Sequence, residues 1–101
     1  QGFYLYELNF GKSPSLAKSL LSAAEQFLPI EMAECIDGRT ASEGIIRPDT
    51  IPNLPEGRPE SIYLYQQYGG VLYTLETPSA TDLDVRVATL KAAVLAAIEN
   101  P

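Results

Sequence analysis

Val71-Leu72-Tyr73-Thr74-Leu75-Glu76-Thr77-Pro78-Ser79 is the stretch whose reading decides the fold. Val71 to Leu75 are all apolar or strand-favouring. Gly69-Gly70 precede them and Thr77-Pro78-Ser79 follow, which is the punctuation of a strand. So continuous an apolar run suits a strand covered on both faces, as in a parallel sheet. Glu76 then falls at the carboxyl end of the strand, the edge of an open α/β sheet where ligands bind. An acid there is a candidate for chemistry. The plainer alternative is a structural acid bonded to backbone N–H groups of the next turn.

The flanking sequence supplies the other elements. Gly2-Phe3-Tyr4-Leu5-Tyr6-Glu7-Leu8 reads as a second strand, too apolar for an exposed edge, and Asn9-Phe10-Gly11-Lys12 as a turn. Ser13 as N-cap and Pro14 at the first helical position open a helix. Its apolar stripe is Leu16, Leu20, Ala24 and Phe27, with Leu21 and Leu28 beside it, and Pro29 stops it. After Glu76, Thr81 as N-cap with Asp84 three residues on opens a second helix. Asp82 and Asp84 suit the positive end of its dipole. Leu83, Val87, Leu90, Val94 and Ile98 form its apolar stripe, and its alanines favour helix and allow close packing.

Residues 30–59 read as a long irregular stretch, broken by Pro48, Pro52, Pro55 and Pro59. A stretch of this kind is often a binding loop. Within it Ile45-Ile46 is a very short strand or an anchor into the core. Arg39, Glu43 and Arg47 are either solvated loop charges or functional ones. In Pro59–Tyr68 the tyrosines favour a strand, whereas Pro59 and Glu60 favour a helix start. A short helix ending at Gly69-Gly70 is the expectation. Tyr63, Tyr65 and Tyr68 are either packing residues or ligand contacts.

The expected order is strand, helix, long loop, short helix, strand, long helix, which is α/β. Two buried parallel strands need neighbours, since sheets usually have about four to six strands. Residues 1–101 are therefore expected to be the carboxyl-terminal part of a single larger domain, with a mixed, largely parallel sheet flanked by helices.

Composition narrows the chemistry. Seven basic and 13 acidic residues leave a net charge of −6, and the basic residues form no cluster, which argues against a nucleic-acid partner. No apolar run approaches the ~20 residues needed to span a bilayer, so no membrane partner is expected. Cys35 is the only cysteine. It cannot form an internal disulfide, which is compatible with a reducing compartment such as the cytoplasm, and a semi-buried structural thiol is the expectation for it. The chain has no histidine, so neither Ser-His-Asp or Cys-His machinery nor a zinc site of the usual kind can be built from its residues.

Tyr73-Thr74-Leu75-Glu76-Thr77-Pro78-Ser79, followed by Leu83-Asp84-Val85-Arg86-Val87-Ala88, resembles the end of the zinc carboxypeptidase family of the carboxypeptidase A type. It is most similar to that family's bacterial carboxypeptidase-like branch. There a Thr-Leu-Glu-Thr-Pro-Ser strand end precedes a terminal helix containing Arg-Val-Ala. Gly2-Phe3-Tyr4-Leu5-Tyr6-Glu7 also resembles the strand that follows the third zinc ligand in such proteins. Residues 30–59 carry no matching motif.

The resemblance implies a hydrolase of peptide or amide bonds in which zinc is held by a His-x-x-Glu pair and a later histidine. A separate glutamate serves there as general base and then acid. Glu76 matches that glutamate. The zinc ligands have no counterpart in this chain and are expected upstream of Gln1, so residues 1–101 are expected to be inactive alone. The implied partners are the upstream part of the same domain and a peptide or small amide substrate. The family's substrate-contacting tyrosine is one of Tyr63, Tyr65 and Tyr68. Two alternatives stand beside this reading. One is a zinc deacylase of N-acyl amino acids, of the succinylglutamate desuccinylase and aspartoacylase kind. The other is a binding or scaffold domain that has lost the metal site.

Overall fold

The computed structural model describes residues 2–9, 14–36, 38–48, 71–78 and 80–99, together with the backbone of 61–66. Eight elements are present among them. They are β1 (Tyr4–Asn9), α1 (Ala17–Ala24), β2 (Cys35–Ile36), β3 (Arg39–Thr40), β4 (Ile45–Ile46), β5 (Ser61–Gln66), β6 (Val71–Glu76) and α2 (Leu83–Glu99). The class is α/β, with a mixed four-stranded sheet in the order β4-β1-β6-β5 and a separate two-stranded ribbon of β2 and β3.

The sheet has two dressed faces. Phe3 and Leu5, with Val71, Tyr73 and Leu75, pack against Ala17, Leu20, Leu21, Ala24 and Leu28 of the α1 region and Leu90 and Ala93 of α2. On the opposite face Tyr4, Tyr6 and Ile46 meet Ile36 and Ala41 around the β2–β3 ribbon. Both pleats of β1 and β6 are therefore buried, which is why their sequences are apolar without alternation.

That double burial does not require parallel strands, and here the expected orientation is corrected. β1 and β6 run antiparallel, with Tyr4 opposite Glu76 and Asn9 opposite Val71. β5 and β6 also run antiparallel, and the parallel pair among the described strands is β1 with β4. A continuous apolar run reports cover on both faces; it does not report direction.

The segment around the tyrosines is a second correction. Residues Ser61–Gln66 form a strand, where a short helix was expected. Ser61 to Gln66 register end to end with Glu76 to Val71, and four residues separate the two strands in sequence, a hairpin spacing. Ile62, Tyr63 and Tyr65 favour a strand, and pairing along six residues outweighs two local helix-start signals. Tyr68 and the predicted helix ends lie outside the described residues.

Residues 30–48 are also more regular than expected. β2 and β3 pair Cys35 with Thr40 and Ile36 with Arg39. Asp37-Gly38 stands between them, a strong short-range hairpin signal. Cys35 is exposed rather than half-buried. Ile45-Ile46 is both things it was expected to be, a two-residue strand and a buried anchor. The turn before it places Glu43 at φ 51° and Gly44 at φ 81°, closed by reciprocal Ser42–Ile45 hydrogen bonds of 3.0 Å. Both residues are left-handed, as a type I′ turn needs.

The helices are shifted relative to their sequence signals. α1 begins at Ala17 and ends at Ala24, three residues after Pro14. Residues 25–27 form turns, which leaves Phe27 exposed instead of in the core. Ser13 lies outside the described residues. α2 begins at Leu83, and the Asp82 carbonyl accepts its first bond, 3.0 Å from the Arg86 N–H. Its buried residues are Thr89, Leu90 and Ala93, while Leu83, Val87 and Ile98 of the expected core stripe are exposed. Small side chains let α2 lie close on α1, so the helix turns its alanine-rich side inward.

Candidate active site

Glu76 closes an internal strand, with Tyr4 of β1 opposite it on one side and Ser61 of β5 on the other. It is 2% exposed. Side chains alternate along a strand, and Val71, Tyr73 and Leu75 face the helices. Glu76, Thr74 and Leu72 therefore project to the opposite face, the face of Tyr4 and Tyr6. The rings of Tyr4 and Tyr6 lie 6.3 Å apart, and the Arg39 guanidinium sits over Tyr6, 5.9 Å from its centroid. Arg39 is thus engaged in a cation–π contact.

The three candidate tyrosines are placed as follows. By backbone register Tyr63 is opposite Thr74 and Tyr65 is opposite Leu72, two and four residues before Glu76, or about 7 and 13 Å along the strand. Tyr68 lies outside the described residues. The tyrosine directly across from Glu76 is Tyr4, which the sequence presented only as a strand residue. Cross-strand register is the signal that finds it, and a sequence does not display it.

A second buried carboxylate was also missed. Glu7 of β1 lies opposite Tyr73 and points to the helix face. The Ser15 hydroxyl donates to its Oε2, and the Arg47 Nε–H donates to its Oε1 at 2.8 Å. Burial alone pushes the Glu7 carboxyl up. Hydrogen bonds from Ser15, Arg47 and Tyr73, with the Arg47 charge, outweigh burial and hold it below the ordinary carboxylate range. Tyr73 is raised, mainly by its own burial, with the Glu7 charge adding to the effect. Its phenol oxygen also accepts the Leu16 N–H at 2.8 Å. This satisfies a donor at the start of α1, where no side chain of the helix itself provides a cap.

The two carboxylates therefore sit in different settings. Glu7 is held ionised by three donors and tied to α1 and β4, which suits structure and not proton transfer, since a general base needs a proton affinity near the working pH. Glu76 sits on the other face, at a strand end, held between two neighbouring strands. Glu43 is an exposed turn residue, and Arg47 reaches the buried Glu7.

These residues do not fit a zinc ion. The chain has no histidine, and among the described residues no group of three or more His, Cys, Asp or Glu could hold a metal. Among them, too, no helix is long and apolar enough to cross a membrane.

No protein-family model matches the chain, and no curated protein does. Solved structures do. A candidate metallopeptidase of Shewanella amazonensis SB2B superposes on 96% of this chain with a TM-score of 0.70 and 23% identity. One of Shewanella denitrificans OS217 covers 97% of it at a TM-score of 0.68 and 23% identity. One of Shewanella baltica OS155 covers 95% at 0.62 and 19%. The chain spans 35%, 36% and 35% of those three proteins, about a third of their length. At this level of identity the likeness is one of fold: nearly all of the chain takes the course of one part of a longer α/β protein.

Proposed function

We propose that residues 1–101 form part of a metal-dependent hydrolase that cleaves a peptide or amide bond, with Glu76 as its general base. The observation that carries this reading is Glu76 itself: a carboxylate at the end of an internal strand, pinned by β1 and β5. The Thr-Leu-Glu-Thr-Pro-Ser motif and the likeness in fold to candidate metallopeptidases support it.

In this reading Glu76 takes a proton from the attacking water as the water oxygen bonds to the substrate carbonyl carbon. It then delivers that proton to the nitrogen as the C–N bond breaks. A strand end suits the task, because the carboxylate must stay within hydrogen-bond reach of the water without being drawn away. Tyr63, Tyr65 and Tyr68 are the proposed substrate contacts. Zinc is the proposed metal, and its ligands are assigned to residues outside this chain.

The test is Glu76→Gln in the natural translation product that contains these residues, assayed on peptides with a free carboxyl terminus and on N-acyl amino acids. The expected outcome is a rate loss on the order of 10²–10⁴ with an unchanged circular dichroism spectrum. Undiminished turnover would end the assignment. Turnover of N-acyl amino acids alone would identify a deacylase, and no turnover by the unsubstituted protein would favour the scaffold reading.

A further inference from the structure

Backbone pairing to β1 and β5 pins the Cα of Glu76, but its carboxylate lies beyond further side-chain torsions. Those torsions are free unless neighbouring side chains restrict them. An acid that does chemistry has to be held by packing as well as by its strand. Glu76 is almost fully buried, so its side chain does have cover.

The neighbour on the β1 side is Tyr4. The Phe3 and Leu5 N–H groups bond away from β6, to the Pro29 and Gly44 carbonyls at 2.8 and 2.9 Å. Backbone groups alternate along a strand, so those of Tyr4 are directed at β6, where Glu76 is its register partner. Side chains directly opposite on antiparallel strands leave the same face with Cβ atoms about 4.5–5.5 Å apart. The Tyr4 ring therefore starts beside the Glu76 side chain.

Tyr4 is itself braced. It is half-buried, and its ring is tilted by 55° against that of Tyr6, an arrangement that aromatic pairs favour. Tyr6 is buried and packs with Ile36, Ala41 and Ile46, and the Arg39 guanidinium holds its ring through the cation–π contact. Arg39, Tyr6 and Tyr4 thus form a row along one face of the sheet, and the row ends at Glu76.

We propose that Tyr4 is a positioning residue for Glu76: its ring, braced by Tyr6 and Arg39, restricts the side chain of the acid and covers it from solvent. The action belongs to the ring and not to the phenol hydroxyl. The consequence for turnover rests on the general-base reading of Glu76, whereas the placement of the carboxylate does not.

Carboxylate labelling of the natural translation product tests the placement, with a water-soluble carbodiimide and glycinamide, read by peptide mass spectrometry. Parent Glu76 should react as slowly as the buried Glu7 and far more slowly than the exposed Glu43. Tyr4→Phe should leave that rate unchanged. Tyr4→Val keeps strand propensity but removes the ring, and should raise Glu76 labelling several-fold without raising that of Glu7. Arg39→Met, at the far end of the row, should raise it by a smaller factor. It decides the matter if Tyr4→Val labels Glu7 too, the sign of a fold lost. Unchanged Glu76 labelling overturns the proposal, and so does a Tyr4→Phe rate equal to that of Tyr4→Val. Turnover reads the consequence: Tyr4→Val should lower kcat by roughly ten- to a hundredfold with KM unchanged, and Tyr4→Phe should keep the parent value. A loss confined to KM overturns the positioning role and makes Tyr4 a substrate contact. No turnover by the unsubstituted product ends the general-base reading and leaves the labelling to decide the placement.

Discussion

Glu7 shows how much one side chain can organise. It joins the sheet to the approach to α1 through Ser15 and to the residue after β4 through Arg47, and Tyr73 links the same acid to the first N–H of the helix region. Because its carboxyl is lowered in the folded state, the stability it contributes is present above the unfolded value and is lost as pH falls through the folded one. Glu7→Gln should lower stability at pH 7 by about 1–3 kcal/mol, and the difference from the parent should shrink below about pH 4. Urea unfolding at pH 7 and pH 3 checks both halves. Arg47 has a half-exposed side chain, so Arg47→Met should cost less, about 1 kcal/mol at most. Tyr73 is shifted the other way: its neutral form is favoured in the fold, so its contribution is full below the unfolded value and fades above about pH 10. Gly2 has a purely steric role. A Cβ there would lie 2.3 Å from the Pro29 carbonyl oxygen, where the Phe3 N–H donates to that oxygen at 2.8 Å. Gly2→Ala should lower the unfolding free energy by about 1–3 kcal/mol, read as a lower urea midpoint.

At the scale of elements, two features make separate predictions. The turn before β4 holds Glu43 in the left-handed region, which asparagine enters more readily than glutamate. Glu43→Asn should therefore raise stability by about 0.5–1 kcal/mol, read as a shift of the urea midpoint. α2 meets its neighbours through a fully buried Ala93, so Ala93→Leu should overpack that contact and cost about 1–3 kcal/mol. The reverse pattern, an alanine-rich outer side and a Val-Leu-Ile inner side, is what hydrophobicity alone suggested for this helix. The approach of α2 to α1 decided otherwise, because close backbone contact favours small side chains over large apolar ones. Thr89 fits the same rule: it is fully buried, and its hydroxyl is satisfied by the Val85 carbonyl at 2.6 Å.

Over the whole molecule, charge and fold set the outlook for partners. With a net charge of −6, the protein should leave the anisotropy of a labelled single-stranded or duplex oligonucleotide unchanged at physiological salt. Glu7 and Glu76 lie on opposite faces of one sheet, so the acid that braces the fold is screened by the sheet itself from the acid proposed to do chemistry. The two could be altered independently.

The amino-acid sequence by itself determined that β1 and β6 are strands buried on both faces, that two helices accompany them, and that an acid ends β6. These follow from local composition and periodicity, which act over a few residues. It also showed that residues 1–101 contribute no histidine. The tertiary structure alone decided the direction of the strands, the pairing that made 61–66 a strand, the register that set Tyr4 across from Glu76, and the side of α2 that faces inward. It alone assembled Glu7, Ser15, Arg47 and Tyr73, which lie far apart along the chain. Each of these depends on contacts between segments distant in sequence, whose energies exceed the local preferences that a single stretch can express.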